Sequence, residues 1–151
     1  MTFINPSNLE QARKQLKKAE KPIIVYAQDD NFNRKILEYG KFDILLFLSY
    51  VLKQKKDKLK QIDSGFNHVL GKIASNKDIT IGFDLEDIRQ FEKKDKAIIL
   101  SKIMQNIKIC RKTKTKIIII NYKNKIYAFN LLISLGASTE QTDFMRTNTF
   151  L

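Results

Sequence analysis

The sequence is poor in the residues that build most metal and nucleophilic sites. Among its 151 residues it has one histidine, His68, and one cysteine, Cys110. A single cysteine excludes an internal disulfide, and so few imidazole and thiol ligands argue against a zinc site. No apolar run approaches the roughly 20 residues that a membrane span needs, and the N-terminal residues contain no apolar signal core. We therefore expect a cytoplasmic protein with no membrane partner.

Positive charge is what the sequence has in excess. Lysine and arginine total 28 against 16 aspartates and glutamates, which gives a net charge of +12. Such an excess favours polyanionic partners, nucleic acid above all. A hydrophobic content of 43% is typical of a folded globular chain. The length predicts one domain over residues 1–151, with a polar, partly flexible tail from about residue 137.

Short apolar segments alternate with amphipathic ones along the chain. Strands are predicted at residues 2–5, 23–27, 43–48, 79–83 and 116–121. Ser7 and Glu10 have capping-box spacing before the first helix, and the longest helix is predicted over 95–112. Repeated β-α units with apolar strands indicate a parallel α/β sheet with helices outside, either a barrel or a doubly wound sheet. Five strands are too few for a complete eight-stranded barrel.

The stretch QIDSGFNHVLGKIAS, residues 61–75, holds the only histidine. Asp63 and Ser64 are candidate N-caps, and Gly65 allows a tight entry into the helix. If the helix includes Phe66, an apolar stripe follows at i, i+3, i+4 and i+7, made of Phe66, Val69, Leu70 and Ile73. His68 then lies nearly opposite that stripe and points to solvent, to the rim of the sheet or to a partner. Its place in the first helical turn adds phosphate contact as an alternative.

The segment DSGFNHVLGKIASNKDITIGFDLEDI resembles the central signature of the ribonuclease P protein component 3 family, the thirty-kilodalton subunit in eukaryotes. The residues that match this signature are Asp63, Gly65, Asn67, His68, Val69 and Leu70, followed by the strand 79–83. The segments IILSKIMQNIKICRKTKTKIIII and IYAFNLLISLGASTEQT are similar to later parts of the family. The family's first β-α portion has no counterpart, so the chain resembles an N-terminally reduced member. The resemblance implies a TIM-barrel-like domain of the polymerase-and-histidinol-phosphatase (PHP) type, here an incomplete barrel.

The same resemblance implies a protein subunit of archaeal-type ribonuclease P, which removes 5′ leaders from precursor tRNA. The RNA then carries out catalysis with Mg²⁺, and the isolated chain is inactive, with no catalytic residue, metal site or cofactor of its own. The implied partners are the ribonuclease P RNA, precursor tRNA as substrate and a small partner protein subunit. The expected RNA contacts are Lys53, Lys55, Lys56, Lys58, Lys60, Arg111, Lys112, Lys114 and Lys116. The expected rim facing RNA or partner consists of Asp63, Ser64, Gly65, Asn67 and His68.

Two other functions stay open at this point. Carboxylates follow several strands, at the end that is catalytic in β/α barrels, which would suit a PHP-like metal-dependent phosphoesterase. These acids are Asp29, Asp30, Asp63, Asp84, Glu86 and Asp87. Most of them also stand where N-caps are expected, and related hydrolases use several histidines. The other alternative is a nonspecific RNA-binding module.

Overall fold

The computed structural model describes residues 1–57, 59 and 62–147. Its elements, in chain order, are β1 (Thr2–Ile4), α1 (Leu9–Leu16), β2 (Ile23–Tyr26), α2 (Asp30–Tyr39), β3 (Ile44–Phe47), α3 (Ser49–Gln54), α4 (His68–Asn76), β4 (Thr80–Asp84), α5 (Leu85–Arg89), α6 (Lys93–Thr113), β5 (Ile117–Ile120), α7 (Lys125–Ser134) and α8 (Thr139–Thr147). Within these ranges, none of the helices combines the length and hydropathy that a membrane span requires.

The five strands form one sheet in the order β1-β2-β3-β4-β5, and all neighbouring strands are parallel. Because every crossover steps in the same direction, right-handed connections place the helices on one face of the sheet. A doubly wound sheet would instead reverse its direction at a switch point. Helices α1, α2, α4 and α6 pack side by side in that order. The structure is therefore a partial TIM-barrel-like fold, and the predicted α/β class and strand count are confirmed.

The core is built mainly from the strands. Val25, Leu45, Ile81 and Ile117 are register neighbours across four strands, and all four are fully buried. Burial of such a side chain contributes about 1.5–3 kcal/mol. On the other face, a Cβ at Gly82 would lie 2.7 Å from Ile44 Cγ2 and 3.2 Å from Leu46 Cδ1. Because glycine has no Cβ, the side chains of Ile44 and Leu46 on β3 can pack directly against the backbone of β4.

The first two helices begin at side-chain caps. Asn8 Oδ1 accepts a hydrogen bond from Gln11 N at 2.9 Å, so Asn8 is the N-cap of α1 and the predicted capping box on Ser7 is wrong by one residue. Ser7 instead donates from N and Oγ to Gln11 Oε1. Asp29 and Asp30 are both candidate caps of α2, and the N-cap is Asp29, whose Oδ1 accepts from Phe32 N.

The C-terminal segment contains the helix α8, which composition did not predict. Thr142 and Met145 of this helix are buried. Gln141 Nε2 donates to the Ile107 carbonyl of α6 at 3.2 Å. The part of the predicted flexible tail that the structure describes therefore packs against the body of the domain.

Candidate functional site

The turn before α4 is held by its own side chains. Asp63 Oδ1 accepts from Gly65 N at 2.9 Å, an Asx turn that is completed by the left-handed Gly65 at φ +73°. Asn67 Oδ1 accepts from Val69 N at 2.9 Å and from the next backbone N–H at 3.0 Å. Asn67 is therefore the N-cap, and the predicted caps Asp63 and Ser64 are wrong. Because the acid at 63 is used in the turn, the helix begins later, at His68.

This later start changes which side chains are buried. Phe66 precedes the helix, yet it is buried and meets Phe47 edge to face with ring centroids 5.8 Å apart. Val69, which was predicted on the apolar stripe, is 55% exposed, because a stripe counted from Phe66 does not apply to a helix that excludes it. His68 is exposed, which agrees with the prediction that it points away from the core, although the stripe behind that prediction does not apply. Ser64 of the predicted rim is 1% exposed, so its hydroxyl is not a surface group.

A groove of about 950 Å³ runs between this turn and α6. Asn67 and His68 line one side, and Lys108, Arg111 and Lys112 line the other. Arg111 Nη2 donates to the Gly136 carbonyl at 2.8 Å, which fixes its guanidinium at the groove wall. The structure thus brings part of the predicted rim to part of the predicted RNA contacts. An imidazole, an amide and three cations at one groove can bind an anionic or polar partner.

The lysine-rich run after β3 is partly engaged within the chain. Lys53 Nζ lies 2.6 Å from Asp95 Oδ2, and Lys55 Nζ lies 2.7 Å from Asp30 Oδ1. Lys56 is exposed. The predicted contacts Lys58 and Lys60 lie outside the described residues. Two of the five predicted cations therefore already have carboxylate partners.

The second basic cluster lies at the opposite end of the sheet, where β5 begins. Lys114 ends α6 in the left-handed conformation at φ +57°. Lys116 Nζ pairs with Asp78 Oδ1 at 2.7 Å, while Lys112 and Arg111 are exposed. Because the run after β3 stands where the strands end, the structure does not bring the two predicted RNA-contact clusters together.

The carboxylates at the strand ends act as hydrogen-bond acceptors for the backbone. Asp84 Oδ1 accepts from Asp87 N at 3.1 Å, and Asp87 Oδ2 accepts from Ser49 N at 2.6 Å. Asp84 Oδ2 also accepts from Asn121 Nδ2. Among the described residues, no group of three or more histidines, cysteines, aspartates or glutamates is close enough to hold a metal ion. The arrangement fits helix capping better than metal-dependent hydrolysis.

The pKa shifts likewise do not indicate a nucleophile. Burial raises the pKa of the Cys110 thiol, which keeps it protonated at neutral pH. Partial burial also raises the pKa of Tyr26, with a further contribution from Asp84 and then from Asp87. Both groups are therefore neutral in the folded protein at pH 7.

Sequence reasoning missed Lys102, which is 1% exposed on α6. Its Nζ donates to the Lys55 carbonyl and so holds the lysine-rich run against the helix. The signal was present in the periodicity, because position 102 falls with Ile99 and Ile103 on the buried face. A lysine on that face requires a buried acceptor.

Comparison with known proteins gives relatives of one kind. No protein-family model matches the chain. The chain is 25% identical over 123 residues to the ribonuclease P protein component 3 of Methanococcus vannielii, covering 82% of this chain and 49% of the relative. It is 24% identical to the protein of the same name from Methanococcus maripaludis, with the same coverage. The resemblance noted in the sequence is confirmed by these relatives.

The fold comparison agrees. A chain in the cryo-EM structure of an archaeal ribonuclease P with mature tRNA superposes with a TM-score of 0.74 at 22% identity. The match covers 96% of this chain and 63% of the other. The chain spans about half the length of the curated relatives it matches.

Proposed function

We propose that the chain is a protein subunit of archaeal-type ribonuclease P that binds the catalytic RNA and assists removal of the 5′ leader from precursor tRNA. The observation that carries the proposal is the similarity to curated ribonuclease P component 3 proteins over 82% of the chain. The fold match at a TM-score of 0.74 supports it. The net charge of +12 suits a partner that carries phosphates.

Catalysis in this proposal belongs to the RNA and its Mg²⁺ ions. Two carboxylates that a phosphoesterase would use, Asp84 and Asp87, accept hydrogen bonds from helix-start backbone. The thiol of Cys110 is buried and protonated. The protein's role is then to screen phosphate repulsion, so that the folded RNA and its magnesium ions are stabilised.

The groove beside α4 supports a second part of the proposal, contact with RNA or with a small partner protein subunit. His68 and Asn67 are exposed at its edge, and Lys112 also lines the groove. Exposed polar groups and cations that line one groove suit recognition of phosphate or carboxylate groups. Among the described lysines of the 53–60 run, Lys53 and Lys55 are paired with acids, whereas Lys56 is exposed and available for RNA.

Reconstitution of precursor tRNA cleavage tests the proposal. Cognate ribonuclease P RNA is incubated with precursor tRNA, with and without this chain and the small partner protein, over a range of Mg²⁺ concentrations. We expect the chain to raise the cleavage rate and to lower the Mg²⁺ concentration that cleavage requires. Absence of stimulation at every Mg²⁺ concentration would refute the proposal.

The same assay separates the alternatives. A nonspecific RNA-binding module would bind RNA but leave the cleavage rate unchanged. A metal-dependent phosphoesterase would hydrolyse a generic phosphoester with Mg²⁺ or Mn²⁺ and no RNA, and Asp84→Asn would abolish that activity.

A further inference from the structure

The four turns that lead into strands β2 to β5 lie together, because parallel strands begin at the same edge of a sheet. They comprise residues 17–22, 40–43, 77–79 and 114–116, and we call them the basic end. Contacts join each turn to the next. Lys21 Nζ lies 3.4 Å from Asp43 Oδ1, the Asp43 carbonyl accepts from Thr80 N, and Lys116 pairs with Asp78.

The basic end carries seven lysines and three acids. Two of the acids, Asp43 and Asp78, form ion pairs with Lys21 and Lys116. Glu20 is the third acid of the basic end. Each turn then contributes at least one further lysine; these are Lys17, Lys18, Lys41, Lys77 and Lys114. In the described part of the chain, the ammonium groups of these five lysines form no ion pair. The local excess of positive charge is therefore not balanced within the protein.

The opposite end of the sheet carries acids together with further cations, among them Lys93 and Lys94 at the start of α6. The residues that follow the strands include Asp29, Asp30, Asp84, Glu86 and Asp87. The lysines of the 53–60 run that stand nearest to them, Lys53 and Lys55, are paired. The excess of seven lysines over three acids at the basic end attracts a polyanion.

Backbone conformation gives a second, independent observation. Lys41 has φ +65° and Lys114 has φ +57°. The left-handed region is unfavourable for a residue with a side chain, and glycine is the usual occupant where a helix ends in this way. A cation near a helix C-terminus is favourable, but by less than the left-handed conformation costs. Lys41 follows the C-cap Gly40, and its Nζ lies 5.7 Å from the centroid of the Tyr39 ring. Lys114 is itself the left-handed C-cap of α6, and a lysine at that position indicates an external anion.

Two properties of the basic end indicate the kind of anion that it binds: the burial of its large apolar side chains and the length of the row of turns. The large apolar residues of the turns, Phe42 and Ile79, are 5% and 1% exposed, so the turns themselves offer no large apolar side chain for insertion into a lipid surface. The row of turns extends about 15 Å, given a strand spacing of roughly 4.8 Å. A nucleic acid duplex presents closely spaced phosphates over that length.

We infer that the basic end binds the phosphate backbone of duplex RNA without reading its bases. The inference rests on the proposed function for the choice of RNA, and it names the surface that holds it. Contact through lysines alone positions an RNA without sequence selection. The lysine-rich run after β3, at the other end of the sheet, is then a separate contact.

Direct RNA binding tests the inference. The affinity of the full chain for a fluorescent RNA hairpin of mixed sequence is measured by anisotropy at several KCl concentrations. The test variant carries Lys18→Gln, Lys41→Gln, Lys77→Gln and Lys114→Gln. The control variant carries Lys35→Gln, Lys72→Gln, Lys94→Gln and Lys123→Gln, which are exposed lysines away from the basic end. Both variants lose four positive charges.

We expect the test variant to bind at least roughly tenfold more weakly at 0.1 M KCl, and the slope of log affinity against log salt to fall by about three to four. The control variant should show a much smaller loss of RNA affinity and a much smaller change in the salt slope. Equal losses in the two variants would overturn the inference, as would a wild-type chain that binds no RNA. Loss of binding to phosphatidylserine vesicles, with RNA binding retained, would assign the basic end to a membrane instead.

A second variant separates binding from folding. Lys41→Gly with Lys114→Gly relieves both left-handed positions, so its melting temperature should rise by a few degrees while its RNA affinity falls. Weaker binding by a more stable protein cannot come from unfolding. Failure of the cleavage assay, with RNA bound at the basic end, would refute only the proposed function. Stimulated cleavage with no difference between the test and control variants would refute only this inference.

Discussion

Lys102 of α6 and Asp57 of the loop after α3 form an ion pair across the edge of the domain, with Nζ 3.6 Å from Oδ1. The lysine side chain is 2% exposed and the aspartate side chain 49%. Nζ also donates to the Lys55 carbonyl, and Asp57 Oδ1 accepts from Asp63 N at 2.9 Å. One buried ammonium therefore fastens the lysine-rich run to α6 and, through Asp57, to the turn before α4.

Lys102→Met should release the lysine-rich run after α3 from α6 without unfolding the domain. Methionine keeps an apolar stem of similar length, and Asp57, whose side chain is 49% exposed, remains solvated without its partner, so the loss of stability should be small. We expect subtilisin to cut near residues 55–63 several-fold faster in the native state, with a melting temperature within a few degrees of the wild type. Mass spectrometry of the fragments locates the cuts. Lys108→Met, exposed on the same helix, is the control, and equal cleavage in both variants would contradict the anchoring role.

The lysines of the run should differ in what they do. Lys56→Gln removes an exposed cation and should leave the free energy of unfolding within about 0.5 kcal/mol while weakening RNA binding. Lys55→Gln breaks the pair with Asp30 and should cost up to about 1 kcal/mol, with the smaller effect on RNA. Urea unfolding and RNA anisotropy measure the two properties. A larger loss of RNA affinity for Lys55→Gln would show that its ion pair opens on binding.

Adjacent residues at the start of α4 should separate stability from assembly. Asn67→Ala removes the cap of two backbone N–H groups and should destabilise the protein by about 1 kcal/mol. His68→Ala removes an exposed side chain and should change stability by less than about 0.5 kcal/mol, yet weaken assembly with RNA and the partner protein. Thermal unfolding and co-purification with the reconstituted complex are the measurements. Unchanged assembly of His68→Ala would remove His68 from the interface.

Burial of Cys110 makes stability sensitive to high pH. Its thiol pKa is raised in the folded state, so above pH 9 the unfolded chain has lost a proton that the folded chain retains. The thiol's contribution is fully present below that pH and is lost as the pH rises, at about 1.4 kcal/mol per pH unit. Urea unfolding of the wild type and Cys110→Ala at pH 7 and 10 tests this. The stability difference between the two proteins should shrink at pH 10, and a constant difference would contradict the expectation.

Much of the fold follows from local patterns. The runs that became β2, β3 and β5 are continuously apolar, and those of β2 and β5 are rich in β-branched residues, which is typical of strands buried on both faces. Asp29 before α2 is likewise a local cap signal that the structure confirms. Strand number and class were therefore predictable. The helix start at His68 was not, because Asp63, Ser64 and Asn67 are all acceptable caps and only the Asx turn at Gly65 selects among them.

The candidate site also has features that the sequence predicts and features that only the structure shows. Composition identified the excess of positive charge, and the signature stretch identified the relatives. Neither could show that Lys53 and Lys55 are paired with acids distant in sequence, Asp95 and Asp30. Such pairs depend on which helix ends lie close together in the folded protein. The hydrophobic periodicity of the sequence does not predict this.

The sequence by itself determined the parallel β-α order, the charge of the chain and the resemblance carried by residues 63–70. Only the tertiary structure decided the order of the strands, the docking of α8 and the gathering of lysines from four separate turns at one end of the sheet. The physical reason is that strand and helix signals act over a few residues. A charged surface instead depends on strands that start side by side although their turns lie far apart along the chain.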